Sequence, residues 1–179
     1  MVNNVNDNNI NDNNISFKPN DYVVYPTHGV GKVVSIEQNE IAGHSVELVV
    51  ISFEHEKMTL RVPTYKIKSS GMRHLANDDR LNEALTILKG RARIKRTMWS
   101  RRAQEYESKI NSGDLVSLAE VIRDLHKGNE NTEQSYSERQ LYEMACERLA
   151  REISVANGLD KEIANARIKE FLAKKAVAA

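Results

Sequence analysis

The sequence predicts an α+β protein of two domains, a small antiparallel β barrel or bent sheet followed by a compact five-helix α domain. Two observations carry this. Between residues 17 and 75, short β-rich runs alternate with Gly, Pro and Asn, the punctuation of an antiparallel sheet. From Asp78 onward those runs stop and apolar residues recur at helical spacing, which marks a change of architecture. The layout expected is a leader over residues 1–15, a β domain over 16–70, a hinge over 71–77 and a helical domain over 78–179.

The leader, MVNNVNDNNINDNNI, is Asn and Asp with isolated Val and Ile. It buries too little apolar surface to offset chain entropy and reads as disordered. The first strand is 22–25, stopped by Pro26. His28-Gly29-Val30-Gly31 reads as a tight connection where Gly permits angles other residues resist. It lacks the third Gly of a dinucleotide site and the Lys-Ser/Thr ending of a phosphate loop. A second strand follows over 32–36, then turn-like Gln38-Asn39-Glu40 and Ala42-Gly43, then strands over 45–53 and 58–62 before Pro63. A core built on about 55 residues is near the lower limit for independent folding.

Asp78 or Asp79 caps a first helix carrying Leu81, Leu85 and Leu88, closed near Gly90. A second helix is expected over 91–110, stopping at Asn111-Ser112-Gly113. Asp114 caps a third with Leu115, Leu118, Val121, Ile122 and Leu125 on one face and Gly128 at its end. The polar connection GNENTEQSY follows, and Ser137-Glu138-Arg139-Gln140 has the spacing of a capping box. That helix ends at Asn157-Gly158, and Asp160 caps the last, with Ile163, Ile168, Phe171 and Leu172.

Enzymatic constellations are scarce, so a binding protein is the expectation. The five histidines are scattered, without a pair at metal-ligand spacing. His55 between Glu54 and Glu56 reads as a solvated hairpin turn. The single cysteine, Cys146, excludes an internal disulfide and lies in a helical pattern that suits a small buried hydrophobe. No apolar run approaches a membrane span of about 20 residues, and the start lacks the order of a secretion signal. A cytoplasmic protein without membrane contact, cofactor or metal is expected.

One segment stands apart. Residues 89–102, KGRARIKRTMWSRR, hold seven bases, no acid and the one tryptophan of a chain whose net charge is only +1. Such cations repel one another, and a polyanion converts that cost into binding. Placed on a helix, Arg91, Lys95 and Arg102 fall within roughly 40° of one another, beside a stripe of Trp99, Ala103, Tyr106 and Ile110. That stripe alone lets Trp99 anchor the helix to a core. Arg93, Arg96 and Arg101 surround the ring with further cations, which favours an exposed indole meeting nucleic acid, guanidiniums on phosphates and the ring against an unstacked base.

With these residues assembled, the chain resembles the CarD/CdnL family of bacterial transcription regulators that bind RNA polymerase. The likeness rests on residues 21–34 (DYVVYPTHGVGKVV), 58–63 (MTLRVP), Trp99-Ser100-Arg101-Arg102, the Ser-Gly-Asp loop and 119–125 (AEVIRDL). The first two stretches also resemble the polymerase-interacting domain of the transcription-repair coupling factor. The resemblance implies that the β module is Tudor-like and docks on the polymerase β subunit. Arg61, Asn39 and Ile41 are then the polymerase-binding candidates, Asn39 standing where some members carry a base. It implies that Trp99 wedges into the minor groove at the upstream edge of the melted −10 region and stabilises the open complex. Arg101 and Arg102 would hold phosphates, with Arg91, Arg93, Lys95 and Arg96 as further DNA-binding candidates. Contact with promoter DNA would be largely sequence-nonspecific and the protein a monomer. The competing expectation is an adaptor whose basic helix binds an acidic protein surface.

Overall fold

The computed structural model describes residues 15–128 and 133–174. Residues 1–14 of the leader, 129–132 of the polar connection and 175–179 of the helical domain lie outside the described residues. Strands β1 (Tyr22–Tyr25), β2 (Gly29–Ile41), β3 (His44–Phe53), β4 (Met58–Pro63) and β5 (Arg73–His74) form one antiparallel sheet in the order β4-β3-β2-β1-β5. Alternation sets its faces. Val23, Val33, Val49, Ile51, Phe53 and Val62 point to one side and pack with Phe17, Ile67 and Met72. Gly31 is required beneath them: a Cβ there would lie 2.7 Å from both Ile51 and Phe53 side chains. A bulge between Val33 and Ser35 bends the sheet and leaves Val34 exposed. Edge strands β4 and β5 do not pair with each other, so the module is a bent sheet and not a closed barrel.

The ladder of β2 and β3 runs on to Ile41 opposite His44. Gln38-Asn39-Glu40, read from sequence as a turn, is therefore strand. Pairing with Glu47, Val46 and Ser45 overrides the poor β preference of Asn and Glu. The turn proper is Ala42-Gly43, both at positive φ (53° and 77°), which matches the twist of a two-residue hairpin.

A 3₁₀ turn over Thr64–Lys66 and the one-turn α1 (Ile67–Ser70) close the sheet module. Then come α2 (Asp78–Leu88), α3 (Trp99–Asn111), α4 (Leu115–Leu125), α5 (Tyr136–Asn157) and α6 (Lys161–Ala173). The described residues thus hold six α-helices where the sequence suggests five, α1 being the addition. Asn77, not Asp78 or Asp79, caps α2 through Arg80 N. The capping box of α5 is Ser135 with Glu138, two residues ahead of the expected start. Asp114 caps α4 as expected, and Gly158 ends α5 at φ 61°. Leu85, Leu88, Ile110, Ile122, Leu149 and Ile153 form the centre of this module, each almost fully buried, a burial worth about 1.5–3 kcal/mol per side chain.

The largest departure concerns residues 91–98, which are exposed and not helical. Helix α3 begins at Trp99. The predicted helix fails for the reason that made the segment conspicuous. Arg91 and Lys95 would stand at i,i+4, and like charges there oppose a helix. Gly90 stops α2, and Arg93 N is drawn to Asp124 Oδ1 of α4 at 2.9 Å, a bond outside any helix. Residues 71–77, expected as a hinge, include β5, which pairs with Val23 and Val24 of β1.

Candidate nucleic-acid interface

The basic segment leaves α2, meets α4 at Asp124 as an irregular, non-helical run and enters α3 at Trp99. One acid organises it. Asp124 is 6% exposed, takes Arg93 N at 2.9 Å and Arg123 Nε at 2.8 Å, and so fixes the main chain while leaving side chains outward. Ile94 and Met98 are 53% and 79% exposed, an unusual state for large apolar groups beside charges. Among the described residues no carboxylate pairs with Arg91, Arg93, Arg96 or Arg101. Lys95 differs, binding Glu105 at 2.7 Å. That hydrogen bond holds the Glu105 carboxyl below its ordinary pKa.

Trp99 is neither bare nor sealed. It is half-buried against the helical core, tilted 44° to Tyr106 at 6.4 Å between ring centroids. Its indole N–H donates to Ser137 Oγ of α5 at 3.0 Å, and the Arg102 guanidinium lies 5.4 Å from its ring centre, within cation–π range. Arg102 Nε is buried and has no acceptor among the described residues. The helical stripe of Trp99, Ala103, Tyr106 and Ile110 is therefore real from Trp99 onward, with Tyr106 and Ile110 buried and the Tyr106 hydroxyl pushed above its ordinary pKa by burial. The alignment of Arg91 and Lys95 with Arg102 on that helix does not exist.

The start of α3 suits an anion. Met98 caps it without a side-chain bond, its first turn holds no acid, and Arg101 N and Arg102 N both reach Met98 O at 3.1 Å. The amides of Trp99 and Ser100 have no intrahelical acceptor, and the dipole's positive end lies beside Arg101 and Arg102. Arg93, Arg102 and the ion pairs Lys95–Glu105 and Lys109–Glu120 line a cleft of about 210 Å³. Of the sequence candidates, Trp99, Arg101 and Arg102 gather at this helix start. Arg93 and Lys95 share the cleft with Arg102; Arg91 and Arg96 lie along the approach. Sequence reasoning missed Asp124 and Ser137. Asp124 was signalled by an acid amid the apolar residues of α4, whereas Ser137 was read only as a helix cap and nothing local ties it to Trp99.

Arg61, Asn39 and Ile41 come together on the other module. Arg61 stands opposite Val50 and Val50 opposite Ser35, while Glu37, Asn39 and Ile41 follow Ser35 at steps of two. All three candidates thus share one face of the sheet, and all three are exposed. The Arg61 Nε contact to Glu37 Oε2 is 3.4 Å, a surface pair of small value.

Comparison with known proteins bears on both modules. Residues 17–76 match the domain described as CarD-like/TRCF RID, and residues 83–169 match the CarD C-terminal domain. The chain belongs to the CarD family. A Bacillus subtilis (strain 168) relative named "Putative transcription factor YdeB" is 30% identical over 155 residues, covering 87% of this chain and 99% of that protein. The boundary between the two matched domains falls just before and within α2. The sheet and the basic helical module are thus the family's two parts, in the family's order.

Proposed function

We propose that this CarD-family protein is a transcription regulator that docks on the β subunit of RNA polymerase and stabilises the promoter open complex. The Tudor-like sheet module presents Arg61, Asn39 and Ile41 to polymerase. Trp99 serves as the wedge at the upstream edge of the melted −10 region. Arg101 and Arg102 hold neighbouring phosphates, with Arg91, Arg93, Lys95 and Arg96 along the duplex. Such a protein works in the cytoplasm, at the nucleoid, as a monomer held there by polymerase.

The observation that carries this reading is the placement of Trp99. A half-buried indole opens an uncapped helix, directly after a non-helical run whose arginines have no acidic side-chain partner among the described residues. Phosphates are the natural acceptors for such donors, and an aromatic ring beside them suits contact with a base step. A wedge needs only about 1.4 kcal/mol of preference for the open state to shift its equilibrium tenfold. Tethering through polymerase raises the local concentration of the helical module, so weak affinity for DNA is enough.

The deciding experiment is Trp99→Ala in the full-length protein. Polymerase binding and the folded helical module should persist while open-complex lifetime on linear promoter DNA shortens. An unchanged lifetime, or loss of the folded module, would overturn the wedge. Separately, Arg61→Glu should abolish co-purification with the β subunit; undiminished binding would move the docking surface off this sheet face.

A further inference from the structure

The two modules meet where the sequence suggests a hinge, and the contact is made by groups to which the family resemblance gives no task. Arg148 of α5 donates to Pro26 O at 3.1 Å and Thr27 O at 2.6 Å, both in the β1–β2 turn. The same guanidinium donates to Ile110 O, at the end of α3, at 2.9 Å. One turn along α5, Glu152 is 2% exposed and takes a fork from Arg73 of β5 at 2.7 and 3.0 Å. Arg73 also donates to Gly113 O, before α4, from Nε at 3.0 Å and Nη2 at 2.8 Å. Glu152 accepts Ala76 N at 2.9 Å as well. Between these bonds the backbones touch: a Cβ at Gly113 would lie 3.0 Å from Pro26 Cα.

Each arginine therefore reaches both modules. Arg148 belongs to the helices and grips the sheet's first turn; Arg73 belongs to the sheet and grips the helices. Main-chain carbonyls move only with their whole element, so these bonds report on module orientation and not on side-chain rotamers. The guanidinium's planar fork fixes angles as well as distances. Burial lowers the Arg148 pKa from its ordinary value, as expected for a cation enclosed by carbonyls and partly removed from water.

We propose that Arg148, Arg73 and Glu152 are positioning residues that hold the sheet face of Arg61 and the Trp99 edge in one fixed relative orientation. This rests on the docking and wedge reading above. A protein tethered by one module gains from its second only if that module is presented at the right place. A loose linker would dilute the indole over every orientation within reach. A pinned joint removes that cost before binding, so docking on polymerase delivers Trp99 to a set position.

The test uses full-length protein with Cys146→Ala and spin labels at Ser45→Cys of β3 and Glu162→Cys of α6, both exposed positions. Pulsed dipolar spectroscopy should give one narrow distance distribution. Arg73→Ala with Arg148→Ala should at least double its width while far-UV circular dichroism and polymerase affinity hold. In the same variant, without labels, open-complex lifetime should fall about threefold or more as the effective concentration of the wedge drops. Should the double variant unfold, Glu152→Gln keeps shape and loses the charge, and the same broadening is expected. Arg148→Lys, with charge but no fork, should fall between native and Arg148→Ala. An unchanged width in the folded variants overturns the joint. A broadened joint with unchanged lifetime overturns its role in positioning. The distance measurement is made on free protein, so it stands or falls separately from the wedge, which Trp99→Ala tests.

Discussion

Arg148 and Arg101 carry the same guanidinium into opposite surroundings. The first has three main-chain carbonyls at 2.6 to 3.1 Å; the second is exposed at the head of α3, with no carboxylate partner among the described residues. Arg73 belongs with Arg148, forked onto a buried glutamate, and Arg96 belongs with Arg101. A net charge of +1 over the chain conceals this division. The difference lies in what surrounds each cation: backbone carbonyls and a buried carboxylate satisfy one pair, while the other pair is exposed. Cations of the first kind hold the molecule together. Those of the second kind are available to a polyanion, because binding one does not require breaking anything.

Glu152 separates the two classes of arginine most sharply. Glu152→Ala strands the Arg73 fork and Ala76 N, and removing one partner of a buried ion pair costs about 3 kcal/mol. Because Arg73 is itself 29% exposed, the low end of the usual range is expected. Arg101→Ala should change stability by less than about 0.5 kcal/mol. Urea denaturation of the two variants measures both. Equal losses would mean that the two classes of arginine are not distinct.

The exposed class has its own signature. Arg96→Ala and Arg101→Ala should each weaken DNA binding about equally across sequences. Each should flatten the slope of log affinity against log salt by about one if its residue meets a phosphate. Titrations of fork DNA at several salt concentrations give that slope. Arg73→Ala should leave it alone, since that guanidinium is already engaged on Glu152 and Gly113. A drop in slope with Arg73→Ala would place the joint at the DNA surface.

What the sequence disclosed follows the range of the forces involved. Strands β1, β3 and β4 and the cores of α2, α4, α5 and α6 were legible because alternation and helical spacing are local. The extension of β2 through Asn39 was not, since it depends on a partner strand five or more residues away. The non-helical run at 91–98 was hidden because Lys and Arg favour helices individually, while their mutual repulsion and the pull of Asp124 act together. Trp99, Arg101 and Arg102 were found as a group, but the alignment of Arg91 and Lys95 with them came from a helix that begins only at Trp99. The joint left a faint trace: Glu152 falls three residues after Leu149 and beside Ile153, an acid on an apolar face. Its arginine partner, 79 residues away, carries no local mark.

Between the two classes stands Trp99, and Ser137 decides on which side it falls. The indole bond to Ser137 Oγ is exposed, and such a bond contributes about 0.5–1 kcal/mol net. Ser137→Ala should therefore cost no more than about 1 kcal/mol while releasing the ring edge from α5. Trp99 is the chain's single tryptophan, so its fluorescence reports the ring without ambiguity. Emission should shift to the red and acrylamide quenching should rise, because water replaces the hydroxyl and the ring pivots on its contacts with Tyr106 and Arg102. Unchanged quenching would mean that Tyr106 and the core fix the ring unaided. A stability loss near 3 kcal/mol, the scale of a core aromatic truncation, would class Trp99 with Leu149 as a packing residue and leave the arginines without their wedge.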